Sequence, residues 1–264
     1  MYYVEQIEAV QYTGPTTQID IDNIRDSWAV RKSVSSINTE KAAVNGMLND
    51  LQAAGGLMGI HMQHAYPKDD VNEYTLFHNP TESVLFDLAE CLWDKGITKP
   101  SHNAQHLTAV LHQSKLQGRK IEWVVHSQGA IIFCRALEYY RRTYSGDLSN
   151  HSVVIHASGA SVSRLKKAAA HLQLKVVKTR NNPLDLVLNL SNHRSLLARS
   201  LFFAKHVINS DHHNGLSPHT LPYLGITMYR DQLRMAGYHK DADRVQRFID
   251  KRNEKRAARR QQLG

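Results

Sequence analysis

Two cysteines, seven prolines and no long hydrophobic run set the first limits on this 264-residue chain. Two thiols are too few for a disulfide-built scaffold. Cys91 and Cys134 sit inside apolar helical patterns, where buried thiols are expected. No stretch reaches the roughly 18 consecutive apolar residues of a membrane span. The opening MYYVEQIEAVQYTG has two acids and lacks the basic-then-apolar order of a secretory leader. The expected location is therefore the cytoplasm as made, with export open only to a specialised secretion system that needs no cleaved signal. Internal repeats, low-complexity linkers, Walker motifs and dinucleotide-binding glycine patterns are all missing. Acid is in short supply as well: 24 Asp and Glu face 33 Lys and Arg, for a net charge of +9 with 16 His besides. Much of the excess is local, since IDKRNEKRAARRQQLG carries six Lys or Arg against two acids. That stretch reads as an exposed C-terminal helix or tail, solvated or attracting phosphate or lipid headgroups.

The bulk is ordinary for a globular protein, 42% hydrophobic and 22% charged, and the length suits one large α/β domain. Strand-like runs appear at KAAVNG, EYTLFHNPT, KIEWVV, HSVVIHASG, LKVVKT and KHVINS. Between them lie helical periods: LNDLQAAGGLMGIHMQHA, broken by Gly55 and Gly56, then ESVLFDLAECLWDKG, NAQHLTAVLHQSKLQG, residues 130–144 and SRLKKAAAHLQ. This alternation predicts an α/β fold with a mostly parallel sheet, helices on both faces and helical additions. Residues 1–38 show no clear period until IDNIRDSWAV, which suggests a short amphipathic helix, so they read as an N-terminal extension. The α/β domain spans 39–237 and the basic helix or tail 238–264. In such sheets reactive loops follow the carboxyl ends of the strands.

One strand ends in a distinctive way. IEWVVHSQGAIIFCRAL stops its apolar run at His-Ser-Gln-Gly and restarts at helical spacing. A sharp strand-to-helix turn lifts the Ser127 hydroxyl off the sheet, and the backbone N–H of Gln128 faces any charge developing there. Gly129 lets the chain pack closely two residues on. The stretch resembles the elbow of the α/β-hydrolase superfamily, G-x-S-x-G, with Val125 standing at the first glycine position. A bulky side chain there is expected to crowd the turn. The superfamily order then implies an acid after a later strand and a histidine beyond it. Asp185 in TRNNPLDLVLNL fits the acid and also the N-cap of the helix that follows. In VINSDHHNGLSPHTLPYLGI the chosen base is His219, with His213 the alternative base and Asp211 an alternative acid. A second oxyanion donor is expected near Asn45-Gly46, from the N–H of Gly46 or Met47, where a plain Asn-Gly turn reads equally well.

Together these stretches resemble bacterial lipase-like α/β-hydrolase domains: C-terminal toxin modules of haemagglutinin-like proteins and type VI lipase effectors. The resemblance covers residues 40–230. It implies ester hydrolysis of a lipid or phospholipid through a Ser127–Asp185–His219 triad, with no cofactor, an anionic membrane surface as one partner, and an immunity or secretion protein as another. The residues alone imply acyl transfer to water.

Other readings compete. A thioesterase or peptidase uses the same triad. A non-catalytic module binding nucleic acid or protein through the basic tail is the alternative from another class. The Tyr and Arg of YYRRTY suit a helix end as well as nucleic acid, which is not the expected partner. His61 with His64, and His102 with His106, form pairs on helical faces. Neither encloses a Glu or finds a third ligand, so no metal is expected. Residues 186–207, rich in Leu and Phe, fit a core helix or an apolar wall near the site, and residues 57–72 fit a flap.

Overall fold

Strands buried on both faces dictate the architecture. In Trp123-Val124-Val125 and Val153-Val154-Ile155 every side chain is fully buried. Odd-numbered members pack into one hydrophobic cluster and even-numbered ones into another. Alternation of this kind requires a cover on each side of the sheet.

The computed structural model describes residues 3–10, 26–46, 50–80, 101–191, 197–203, 217–220 and 225–262. The strands are β1 (Tyr3–Ala9), β2 (Trp28–Ser33), β3 (Lys41–Val44), β4 (Glu73–His78), β5 (Ile121–His126), β6 (His151–His156) and β7 (Lys175–Arg180). They form one sheet in the order β2-β1-β4-β3-β5-β6-β7. The pairings from β4 through β3, β5 and β6 to β7 are parallel. β1 runs antiparallel to both its neighbours. The result is an α/β fold with a mostly parallel sheet.

Helix α1 (Leu51–Ala65) covers one face through Ala54, Met58 and Met62. Helices α2 (His102–Leu116), α3 (Gln128–Thr143) and α4 (Val162–His171) cover the other, with Leu107, Leu111, Phe133, Leu137 and Leu165 in the core. Asp50 caps α1 by accepting the Ala53 N–H at 2.7 Å, and Ser101 caps α2 through Ala104. Beyond β7 come α5 (Leu186–Ser191), α6 (Leu197–Ser200) and a 3₁₀ turn at Leu201–Phe203. Then follow α7 (Gly225–Met235) and α8 (His239–Gln261). Leu184, Phe203, Tyr229, Leu233, Ala242 and Val245 bury one another as a separate small core beside the sheet.

Three expectations need correction. The N-terminal segment is part of the sheet, not an extension: β1 and β2 pair with each other and β1 with β4. Trp28, read as part of a helix, starts β2 and is 2% exposed. Gly55 and Gly56 do not break α1, which runs through them and buries Ala53 to Met62. Its glycines allow close contact with the β1–β2 pair; a Cβ at Gly59 would fall 2.2 Å from the Trp28 ring. The same burial removes the first half of the expected flap at 57–72. The expected helix at 82–96 and strand at 205–210 lie outside the described residues. Among the described residues no helix is long and apolar enough to cross a membrane.

Candidate active site

Ser127 is the residue between β5 and α3, and its backbone carries the strain of that position. It sits at φ 55° and ψ −125°. A side chain at positive φ typically costs about 1–3 kcal/mol and persists only where its surroundings fix it. Here the Ser127 N–H donates to His156 O at 3.3 Å, and Ser127 O accepts from Gly159 at 3.0 Å and Ala130 at 3.1 Å. Gly129 is required for the approach to β3, since a Cβ there would lie 2.3 Å from Val44 O. Val125 does not crowd the turn; its side chain is buried in the core with α3.

A serine at a helix N-cap ordinarily accepts an N–H of the first turn. Ser127 makes no such side-chain bond. Its hydroxyl instead meets His219 Nε2 at 2.7 Å, and His219 Nδ1 meets Asp185 Oδ2 at 2.8 Å. The direction of each bond follows from the acid. A carboxylate can only accept, so Nδ1 carries the proton and bare Nε2 accepts the serine O–H. Asp185 is fully buried. Its other oxygen accepts the N–H of Val187 at 2.9 Å and of Leu188 at 3.3 Å, which caps α5. One oxygen thus faces His219 and the other the N-terminus of α5. The loop is tied further by Leu184 N–H to Asn182 Oδ1 and by Asn189 Nδ2 to Pro183 O, each 3.0 Å.

Two of the residues expected to supply oxyanion donors, Gln128 and Gly46, are neighbours of Ser127. The N–H of Gln128 belongs to the first turn of α3, where N–H groups have no helical acceptor. Gly46 is in contact with the serine: a Cβ at Gly46 would lie 2.7 Å from Ser127 Cβ and 3.3 Å from His126 Nδ1. Met47, His213 and Asp211 lie outside the described residues.

The site contains residues that the sequence did not single out for these roles. Asn79 ends β4, where it reads only as a stop. Its Nδ2 donates to Gln128 Oε1 at 2.6 Å, and its N–H donates to Asn45 Oδ1 at 2.7 Å. Asn103 Nδ2 reaches Asn79 Oδ1 at 3.0 Å, and Asn45 Nδ2 donates to Gly46 O at 2.8 Å. This amide network joins the ends of β3, β4 and β5 around Ser127. An Asn just past each of two adjacent strands was the one available clue.

Beneath the triad lies a group of histidines. His126 Nε2–H donates to the backbone carbonyl of His219 at 3.0 Å. The His61 ring lies 4.5 Å from that of His126, and His61 Nδ1 meets His156 Nδ1 at 2.7 Å. Burial, with the neighbouring His219, pushes His126 down to about 3. Burial holds His61 and His156 well below the usual histidine value. These rings are neutral near pH 7, and the bond from His126 therefore sets its tautomer. Among the described residues no group of three or more His, Cys, Asp or Glu is arranged to hold a metal ion. No protein-family model, curated protein or solved structure shows significant similarity to the chain. The functional reading rests on the site's own geometry.

Proposed function

We propose that the chain is a serine hydrolase of carboxylic esters, built on an α/β-hydrolase-like fold. The observation that carries this reading is the unbroken hydrogen-bonded line Asp185–His219–Ser127, starting from a buried carboxylate and ending on a serine whose hydroxyl is withheld from capping its own helix. The order of the three along the chain, each near the carboxyl end of a strand or beyond the last one, supports the same fold reading.

The chemistry follows from the proton positions. As Ser127 Oγ attacks the ester carbonyl, its proton moves to His219 Nε2. Asp185 holds the ring and stabilises the imidazolium. The N–H groups of Gln128 and Gly46 hold the oxygen that becomes negative. Collapse expels the alcohol, which takes the proton from Nε2. Water then gives a proton to Nε2 and attacks the acyl-enzyme; collapse releases the acid, and Nε2 returns the proton to Ser127 Oγ. The steps draw on protein groups and water alone. A lipid or phospholipid ester is the substrate class that the sequence resemblance implies.

The test is direct. A fluorophosphonate probe is expected to label the wild-type chain at Ser127 and to leave a folded Ser127→Ala variant unlabelled. Short p-nitrophenyl esters should be hydrolysed with the same dependence. A folded wild-type sample that neither labels nor hydrolyses them returns the chain to a binding role.

A further inference from the structure

A groove lies between α8 and the residues Asn181, Pro183, Leu188 and Arg199. Its volume is about 830 Å³; Pro183, Leu188 and Phe248 form apolar walls, and Arg199, Lys251, Arg252 and Lys255 line it with one carboxylate, Glu254. A second groove of about 310 Å³ shares Arg199, Phe248 and Lys251 and adds Phe202, Arg244 and Arg247. The two adjoin through these shared residues and form a trough in which cations outnumber the one lining carboxylate, Glu254. Among the described residues no carboxylate forms an ion pair with Arg199, Arg247, Lys251, Arg252 or Lys255. Unpaired cations crowded on one face repel each other and favour an anionic partner.

The edge of this trough is apolar. Leu201 and Phe202 are each 57% exposed, while the next residue, Phe203, is 3% exposed in the small core beside α7 and α8. The 3₁₀ turn is thus anchored by one aromatic and presents two apolar side chains beside the cations. One face of the Phe202 ring is occupied by the Arg244 guanidinium at 5.1 Å. That ring is poorly placed to stack on a nucleic-acid base, and leucine gains nothing from a phosphodiester backbone. Adjacent apolar and cationic groups suit an interface that is apolar and anionic within a few ångströms.

We propose that this face docks on an anionic lipid bilayer. Leu201 and Phe202 enter the boundary between headgroups and acyl chains, and the cations of the trough hold headgroup phosphates. The site is the stretch of α8 from Arg244 to Lys255 with the 3₁₀ turn beside it, not the last turns of the basic helix. The inference does not depend on the chemistry at Ser127.

Co-sedimentation of the full chain with vesicles tests it. Binding is expected to vesicles of phosphatidylcholine and phosphatidylglycerol in equal parts, to fall as salt is raised, and to be weak on phosphatidylcholine alone. Replacing Leu201 and Phe202 together by serine should lower partitioning about tenfold. Replacing Arg247 and Lys251 by glutamate should lower it by about fivefold or more for each position. These side chains are exposed, so circular dichroism melting should match wild type; if the apolar pair fails to fold, the charge pair alone decides. Equal binding to both vesicle types, or unchanged binding by the folded variants, overturns the proposal. So does tighter retention on duplex DNA that survives Leu201→Ser with Phe202→Ser, which would make the trough a nucleic-acid surface.

Discussion

Asp185 uses its two oxygens for two tasks, and substitution can separate them. Asparagine keeps an oxygen to cap α5, but its amide cannot accept the proton on His219 Nδ1. The imidazole then turns to the wrong tautomer. Asp185→Asn is expected to lower kcat by about 10³–10⁴-fold while leaving thermal stability close to wild type. Asp185→Ala should lose the activity and also about 1 kcal/mol of cap. Steady-state kinetics and melting curves on both variants check this; equal destabilisation by both would remove the capping role. The triad residues were legible because each chemical demand is local: a turn after a strand, an acid after a later strand, a histidine in order. Asn79 and the bond from His126 to the His219 carbonyl were not. Their roles depend on which strands become neighbours, and β3, β4 and β5 are brought together by crossovers that no window of sequence contains. The approach of Gly46 to Ser127 was foreseen only as one reading of an Asn-Gly pair that also fits a simple turn.

At the level of elements, the parallel core could be read and the N-terminal strand pair could not. β5 and β6 are β-branched, bounded by turns and followed by amphipathic helices, so their type is overdetermined. In β1 the apolar anchors Val4 and Ile7 are three apart and reach opposite faces of the sheet. Glu5 is buried too, where it accepts a hydrogen bond from Ser33 at 2.8 Å. Neither alternation nor helical period survives that mixture. The pairing also carries a register shift between Gln6 and Ile7. α1 misleads in the opposite sense, because its glycines weaken the helix signal but are demanded by the neighbour. A methyl at Gly59 would overlap the Trp28 ring, at 2.2 Å, and Trp28 is itself locked at 2% exposure. Gly59→Ala is expected to destabilise by about 1–3 kcal/mol, outweighing the helix propensity it gains. Chemical denaturation measures the loss, and an unchanged or higher midpoint would show that the α1–β2 contact can relax.

At the scale of the whole molecule, several of the buried histidines are held neutral. Burial lowers His151 to about 4, and Trp123 Nε1–H donates to its Nδ1 at 3.0 Å, a bond that needs the neutral ring. His126 is lowered to about 3. In the unfolded chain such groups titrate near 6.5. Between that value and the folded one the unfolded state binds protons that the folded state refuses. Stability therefore falls as pH drops from 6.5, towards 4 for His151 and 3 for His126. Each histidine contributes a slope of about 1.4 kcal/mol per pH unit inside its window. Unfolding free energies from urea titrations at pH 6.5 and pH 5 are expected to differ by on the order of 3 kcal/mol from these two alone, with His61 and His156 adding in the same direction. A flat midpoint over that range would mean that these rings are already charged in the fold. The tilted ring contacts of His61 with His126 at 4.5 Å, and of His126 with His219 at 5.0 Å, have a spectroscopic consequence. Rings this close shift one another's resonances, so the carbon-bound imidazole protons serve as an internal gauge. Anything that displaces the His219 ring registers on His126 and then on His61, and a group held at Ser127 becomes visible without a substrate, a dye or a label.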